Sequence, residues 1–179
     1  MIELLLLTIA CVCLLSILWS TLATGISPMP SSKKACRAIL IASEQADHGS
    51  IIDLGCGWGT LLFALVQKYP GRPIIGYELS WLPYLYCQSY KRIFRMHQLT
   101  IYRQNFSAAT LSTAALLICY LSPQGMREVQ QKMAEDPSSK TLLISSTFAL
   151  PDTLPLHTTR VDDLYRTPIY TYTCHSLRQ

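Results

Sequence analysis

Between Leu4 and Ile26 the chain has no charged residue, and no lysine or arginine occurs before Lys33. A run of 23 such residues makes about 34 Å of helix, enough to cross the hydrocarbon of a bilayer. A cleaved signal peptide should start with positive charge and end at a small-residue cleavage site, whereas this chain starts Met1-Ile2-Glu3. The expected reading is a retained membrane anchor over residues 1–26, with a signal peptide or a buried core helix as the alternatives. The seven cysteines contain no C-x-x-C pair, and His48, His97, His157 and His175 show no ligand spacing. Neither a zinc site nor a redox pair is expected, and a disulfide-free cytoplasmic domain without metal follows. There is no internal repeat and no low-complexity tract. Beyond Ile26 the fifteen basic residues outnumber ten acidic ones, an excess too small and scattered to indicate nucleic acid. The densest cluster, Lys91-Arg92-Ile93-Phe94-Arg95, reads as the solvated face of a helix.

One spacing is also missing: G-x-G-x-x-G, the dinucleotide fingerprint. In its place stands Ile51-Ile52-Asp53-Leu54-Gly55-Cys56-Gly57-Trp58-Gly59-Thr60, in which the third glycine comes one position early. An apolar strand ends in an acid, glycines let the backbone turn and approach a ligand, and an apolar helix starts at once. Glu78, 19 positions after Gly59, falls at the end of the next strand, where a carboxylate reaches the ribose hydroxyls of an adenosine cofactor. Asp53 fits poorly beside a pyrophosphate and well beside an amino acid ammonium. S-adenosylmethionine is the expected cofactor; a nicotinamide dinucleotide and a loop without ligand are the alternatives.

Along the chain, the prolines of Ser27-Pro28-Met29-Pro30-Ser31-Ser32 cannot continue a helix and the serines offer an N-cap. Lys33 to about Ala46 reads as an amphipathic helix with Ala35, Ala38, Ile39 and Ala42 on one face. Strands are expected at Ser50–Leu54, Pro73–Glu78, Leu99–Arg103, Ala114–Leu121 and Lys140–Phe148, with helices at Thr60–Lys68, about Trp81–Met96 and Gly125–Ala134. Val161–Thr167 and Ile169–Cys174 read as a closing antiparallel pair. This alternation predicts an α/β fold, a seven-stranded, doubly wound, mostly parallel sheet of order 3-2-1-4-5-7-6 over residues 27–179.

The strings Pro28-Met29-Pro30-Ser31-Ser32, Asp53 to Gly59, Gly76-Tyr77-Glu78-Leu79, Asn105-Phe106, Leu121-Ser122-Pro123 and Phe148-Ala149-Leu150-Pro151 resemble the small membrane-anchored protein-lysine methyltransferases, class I enzymes related to those that modify the ATP synthase c subunit and the adenine nucleotide translocase. The likeness covers about Ser27 to Tyr172. It implies that Asp53, Gly55, Cys56, Gly57, Trp58 and Gly59 cradle the methionine part and ribose of the cofactor, that Glu78 and Leu79 hold the ribose side, and that Asn105 and Phe106 meet the adenine. Asn105 stands where the family usually has aspartate; its amide oxygen accepts the same hydrogen bond without charge. Pro28 to Ser32 would form a lid.

The expected activity is methyl transfer to lysine of a membrane-associated protein. A small-molecule or lipid acceptor, or a scaffold that binds cofactor without catalysis, is the alternative. Lys33, Lys34 and Arg37 after the anchor put the domain on the cytoplasmic face of the bilayer. Methyl transfer needs positioning more than an acid or base, and no general base is named. Tyr77, Trp58, Trp81, Tyr84 and Tyr120 are candidate walls of a slot that desolvates an amine, with ordinary core or rim packing as the alternative for each. Amino methyltransferases of bases or glutamine carry Asn or Asp, two prolines and an aromatic after strand 4, whereas this chain has Cys119-Tyr120-Leu121-Ser122-Pro123, which gives an adenine acceptor no support. Ser122 is read foremost as a turn former.

Overall fold

A computed structural model describes residues 1–25, 31–135 and 141–173. Pro28 to Pro30 of the expected lid, together with Ile26, Ser27, Lys140, Cys174 and His175, lie outside the described residues. The first helix, α1, spans Ile2–Thr24 and stops at Gly25, whose left-handed backbone (φ 73°) lets its N–H reach the Thr21 carbonyl. Among the described residues no helix is long and apolar enough to cross a membrane, so the transmembrane span expected over residues 1–26 is not a feature of the described structure. The helix carries Leu14, Leu15, Leu18 and Leu22. Those leucines are exposed.

Seven strands follow: β1 Ser50–Asp53, β2 Ile74–Tyr77, β3 Leu99–Tyr102, β4 Ala114–Cys119, β5 Leu142–Ser146, β6 His157–Arg160 and β7 Pro168–Thr173. They form one sheet in the order β3-β2-β1-β4-β5-β7-β6, as expected. Strands β1 to β5 run parallel, while β7 is antiparallel to β5 and β6 antiparallel to β7. The helices α2 (Lys33–Ala42), α3 (Thr60–Lys68), α4 (Trp81–Ile93) and α5 (Pro123–Glu135) cover it.

The strands read as continuous apolar runs because both faces are covered. Their side chains alternate between two cores. Ile51, Ile74, Leu116, Ile118, Leu142 and Ile144 pack with Ile39 of α2, Leu62 and Leu65 of α3 and Cys87 of α4. Ile52, Leu117, Cys119 and Leu143 pack on the other face with Met126, Val129 and Met133 of α5 and with Tyr172. This pleat parity decides which way the residues after β4 point.

Local chemistry sets the helix starts. Ser32 caps α2 by accepting from the Ala35 N–H at 3.0 Å, and Ser122 caps α5, its Oγ accepting from the Gly125 N–H at 3.3 Å. Ser122 thus starts a helix where a turn was expected. One element is displaced from expectation. Val161–Thr167 is the turn between β6 and β7, closed by the Thr167 N–H and hydroxyl donating to the Asp163 carboxylate at 2.9 and 2.8 Å, and the strand lies earlier, at His157–Arg160.

Candidate functional site

In an open sheet of this order the strand sequence reverses between β1 and β4, and the crevice above that point is where ligands bind. Here β1 runs into the glycine loop. The Leu54 N–H donates to the Ile118 carbonyl of β4 and the Cys56 N–H to the Tyr77 carbonyl of β2, each at 2.9 Å, so the loop is stitched to both neighbours. Three glycines make the turn with positive φ, 149° at Gly55, 50° at Gly57 and 75° at Gly59. A Cβ on Gly59 would stand 2.7 Å from the Phe63 ring and 2.8 Å from the Cys87 sulfur, whereas one on Gly57 would meet nothing within 4 Å. Gly59 thus lies close against α3 and α4, and Gly57 leaves its surface open.

Glu78, just past the end of β2, is buried and folds onto this loop: its carboxylate accepts from the Gly57 N–H at 2.8 Å and from the Ser80 N–H at 2.7 Å. Asp53 is buried too, at the end of β1. Loss of water, reinforced by the nearby Glu78 charge, pushes the Asp53 carboxyl up to about 7. Two carboxylates thus flank one glycine loop, with one of them poised to change charge near neutrality.

A narrow cleft of about 130 Å³ opens beside them. Its walls are Leu54 and Gly55 of the loop, Tyr77 to Leu79 after β2, Gln104 to Phe106 after β3, Leu121 and Ser122 after β4, and the first turns of α5. Of the residues expected to serve a cofactor, Gly55, Glu78, Leu79, Asn105 and Phe106 meet in this cleft; Asp53, Cys56, Gly57, Trp58 and Gly59 stand behind or beside it. The Cys56 side chain turns inward. Its thiol is held well above its ordinary value by a hydrogen bond with the Cys87 thiol and by burial, and Cys87 donates onward to the Gly57 carbonyl at 3.3 Å. The Trp58 ring packs edge-on against Tyr86, centroids 5.6 Å apart. The Asn105 Oδ1 accepts from the Ser107 N–H at 2.9 Å, capping the short turn Phe106–Ala108.

A second, wider cavity of about 590 Å³ lies across β4 from the first. Tyr120 follows the parity of Leu116 and Ile118 and faces it, while Leu121 follows Leu117 and Cys119 into the narrow cleft. The remaining walls come from the start of α2 (Ser31, Ser32, Ala35), the end of β5 (Ser146, Thr147) and the β6–β7 turn (Asp163, Tyr165, Thr167). The five aromatics expected to wall one slot are not brought together. Tyr77 lines the narrow cleft and Tyr120 the wide one, whereas Trp81 lies under the Arg103 guanidinium at 3.9 Å with Tyr84 edge-on beside it. Asp163 and Tyr165 escaped sequence reasoning because they sit in a segment that reads as a strand.

Among the described residues no group of His, Cys, Asp and Glu is arranged to hold a metal. The architecture is shared with solved structures of low sequence identity. An RNA methyltransferase from Salinibacter ruber, in complex with S-adenosyl-L-homocysteine, matches at a TM-score of 0.71 and 20% identity, over 82% of this chain and 94% of that one. A precorrin-6y C5,15-methyltransferase from Geobacter metallireducens GS-15 matches at 0.58 and 11%, over 79% and 87%, and a coclaurine N-methyltransferase at 0.52 and 20%, over 65% and 37%. At such identities these likenesses bear on the fold alone. No curated protein sequence matches significantly. The sequence profile of the ANTKMT methyltransferase domain matches residues 53–157, from the acid that ends β1 to the first residue of β6 and thus more than half of the chain, so the protein belongs to that methyltransferase family, the class I relatives of the lysine-modifying enzymes its sequence resembles.

Proposed function

We propose that the protein transfers a methyl group from S-adenosylmethionine to a lysine of a membrane-associated protein, at the cytoplasmic face of a bilayer to which residues 1–26 attach it. The observation that carries the cofactor assignment is the pair of buried acids, Asp53 and Glu78, ending adjacent strands on either side of a positive-φ glycine loop. The fit is local and chemical: Gly57 leaves open space where a side chain would stand, and Glu78 is already fixed by two backbone N–H groups. A carboxylate oxygen so engaged keeps a lone pair for a ribose hydroxyl. Asp53, with Gly55, Cys56, Gly57, Trp58 and Gly59, takes the side carrying the amino acid ammonium; Glu78 and Leu79 take the ribose, Asn105 and Phe106 the adenine.

When bound, S-adenosylmethionine supplies a methyl on a sulfonium, open to in-line displacement. The chain's task is positioning. The acceptor ammonium must give up its proton before attack, since only the free amine carries the lone pair that takes the methyl. Support for the membrane comes from the uncharged run Leu4 to Ile26 and from Lys33, Lys34 and Arg37 beyond it.

Incubation of the detergent-solubilised protein and cell membranes with radiolabelled S-adenosylmethionine tests the reading. A labelled protein band that disappears with Glu78→Ala is expected, with the label on lysine after hydrolysis. Label in lipid or in small molecules instead would overturn the lysine assignment. Calorimetry showing NADH bound and S-adenosylhomocysteine ignored would overturn the cofactor.

A further inference from the structure

The wide cavity across β4 from the cofactor cleft has a chemistry of its own, and we propose that it admits the acceptor as an alkylammonium side chain, with Asp163 as the charge it recognises and Tyr120 and Tyr165 as its apolar walls. This rests on the methyl-transfer reading above and adds to it the place and the residues of acceptor selection.

Position comes first. Leu121 lines the cofactor cleft and the preceding Tyr120 lines the wide cavity, so only the end of β4 separates the two spaces. A chain entering the wide cavity and ending at Tyr120 arrives next to the cleft where a methyl donor is held. At about 590 Å³ the cavity has the size of an ordinary ligand site.

Charge comes second. Asp163 is gripped from three sides by neutral donors: the Thr167 N–H at 2.9 Å, the Thr167 hydroxyl at 2.8 Å and the hydroxyl of Ser32 at 3.0 Å. These bonds, the Thr167 amide foremost, hold its carboxyl below the usual range, so it is ionised at neutral pH. Among the described residues the ion pairs are Lys34 with Asp162 and Lys68 with Glu44, and neither uses Asp163. Lys34 spends its ammonium on Asp162, whose carbonyl also accepts from it. A carboxylate fixed by amide and hydroxyl donors still has lone pairs to offer a cation.

The remaining lining suits the same guest. Tyr120 lies nearly parallel to Phe148, centroids 6.5 Å apart, and Tyr165 stands exposed at the mouth. Aromatic faces attract ammonium groups and pack against alkyl stems. Thr147, a β-branched residue, is kept at φ 72° where β5 ends at the cavity, a backbone state that costs free energy and concentrates at ligand sites. A phosphodiester acceptor would meet Asp163 as repulsion.

The test uses the full chain in detergent micelles, titrated with N-α-acetyl-lysine N-methylamide and with its norleucine counterpart, each with and without saturating S-adenosylhomocysteine. Binding is followed by calorimetry and by chemical shifts of the probe. The lysine probe should bind at least about tenfold tighter than the norleucine probe. Asp163→Asn should remove that preference and Tyr165→Ala should weaken the lysine probe several-fold, while S-adenosylhomocysteine affinity stays unchanged in both. Equal binding of the two probes, binding of neither, or a lysine preference that survives Asp163→Asn would overturn the proposal. Should Asp163→Asn fail to fold, the two probes on the unaltered protein still decide. Failure of S-adenosylhomocysteine to bind counts against the cofactor assignment alone, since probe binding is also read without it.

Discussion

Replacing Gly59 by alanine adds one carbon at a point where the structure has no room for it. Its Cβ would lie 2.7 Å from two atoms of the Phe63 ring and 2.8 Å from the sulfur of Cys87. Phe63 cannot swing away freely, because its ring is stacked on Tyr90 with centroids 4.1 Å apart, and Cys87 is wholly buried. Two costs therefore add: about 1–2 kcal/mol for a side chain at φ 75° and about 1–3 kcal/mol for overpacking. Together, about 2–5 kcal/mol should lower the midpoint of thermal unfolding by roughly 5–15 °C for a chain of this size. Gly57→Ala is the internal control. Its Cβ meets nothing, so only the backbone cost of about 1–2 kcal/mol applies, but the new methyl stands in the open space beside Glu78 and should weaken S-adenosylhomocysteine binding by calorimetry. Melting of both variants in the same micelles, with binding measured below the transition, separates packing from recognition. A Gly59→Ala midpoint within 2 °C of the parent would refute the packing argument, and undiminished binding by Gly57→Ala would refute the placement of the loop against the cofactor.

The remaining expectations are smaller in scope. Asp53, pushed up to about 7 by burial and then by Glu78, holds a proton in the folded protein that it loses near pH 4 when unfolded. Its contribution to stability therefore falls as pH rises from about 4 to 7, and Asp53→Asn should flatten that part of a denaturation profile. A ligand ammonium favours the ionised form, so S-adenosylhomocysteine binding near pH 6 should release a proton, read from calorimetry in buffers of different ionisation enthalpy; binding without proton exchange, unchanged in Asp53→Asn, would contradict this. Ser32→Ala removes both the cap of α2 and a bond to Asp163, and should cost about 1 kcal/mol in denaturant unfolding. Cys119, driven up to about 12 by burial, and Cys56, raised by its hydrogen bond with the Cys87 thiol, should resist iodoacetamide at pH 8 in the folded protein and react after unfolding, as mass spectrometry would show.

The sheet was readable in the chain because its parallel strands are buried on both faces and so appear as short apolar runs, each bounded by a helix of different period. Thr60–Lys68 matches its helix end to end, since Gly59 starts it and Tyr69 ends it. The strand β6 was not readable: His157, Thr158, Thr159 and Arg160 are all exposed at the sheet's edge, and a strand with two wet faces has no alternation to detect. The cofactor cleft was half readable. The glycine loop and Glu78 follow from local chain chemistry, but the inward turn of Cys56 depends on Gly76 and Cys87, which sequence distance hides. The wide cavity could not be anticipated, because Ser32, Tyr120, Thr147, Asp163 and Tyr165 meet only after β7 is inserted between β5 and β6.

That insertion bears on how the chain reaches its native state. The strand β5 has five buried residues, Leu142 to Ser146, and its outer edge is satisfied only by β7, through five antiparallel pairs from Leu142–Thr173 to Ser146–Ile169. Until that last strand arrives, β5 offers an apolar template to any other strand, including its own copy on another molecule. Tyr172 then closes the sheet, its ring buried and its hydroxyl accepting from the Leu150 N–H at 3.0 Å. Cooperative folding of the parallel half thus hangs on the final hairpin, and overproduction that outruns its closure should yield aggregates joined edge to edge through β5.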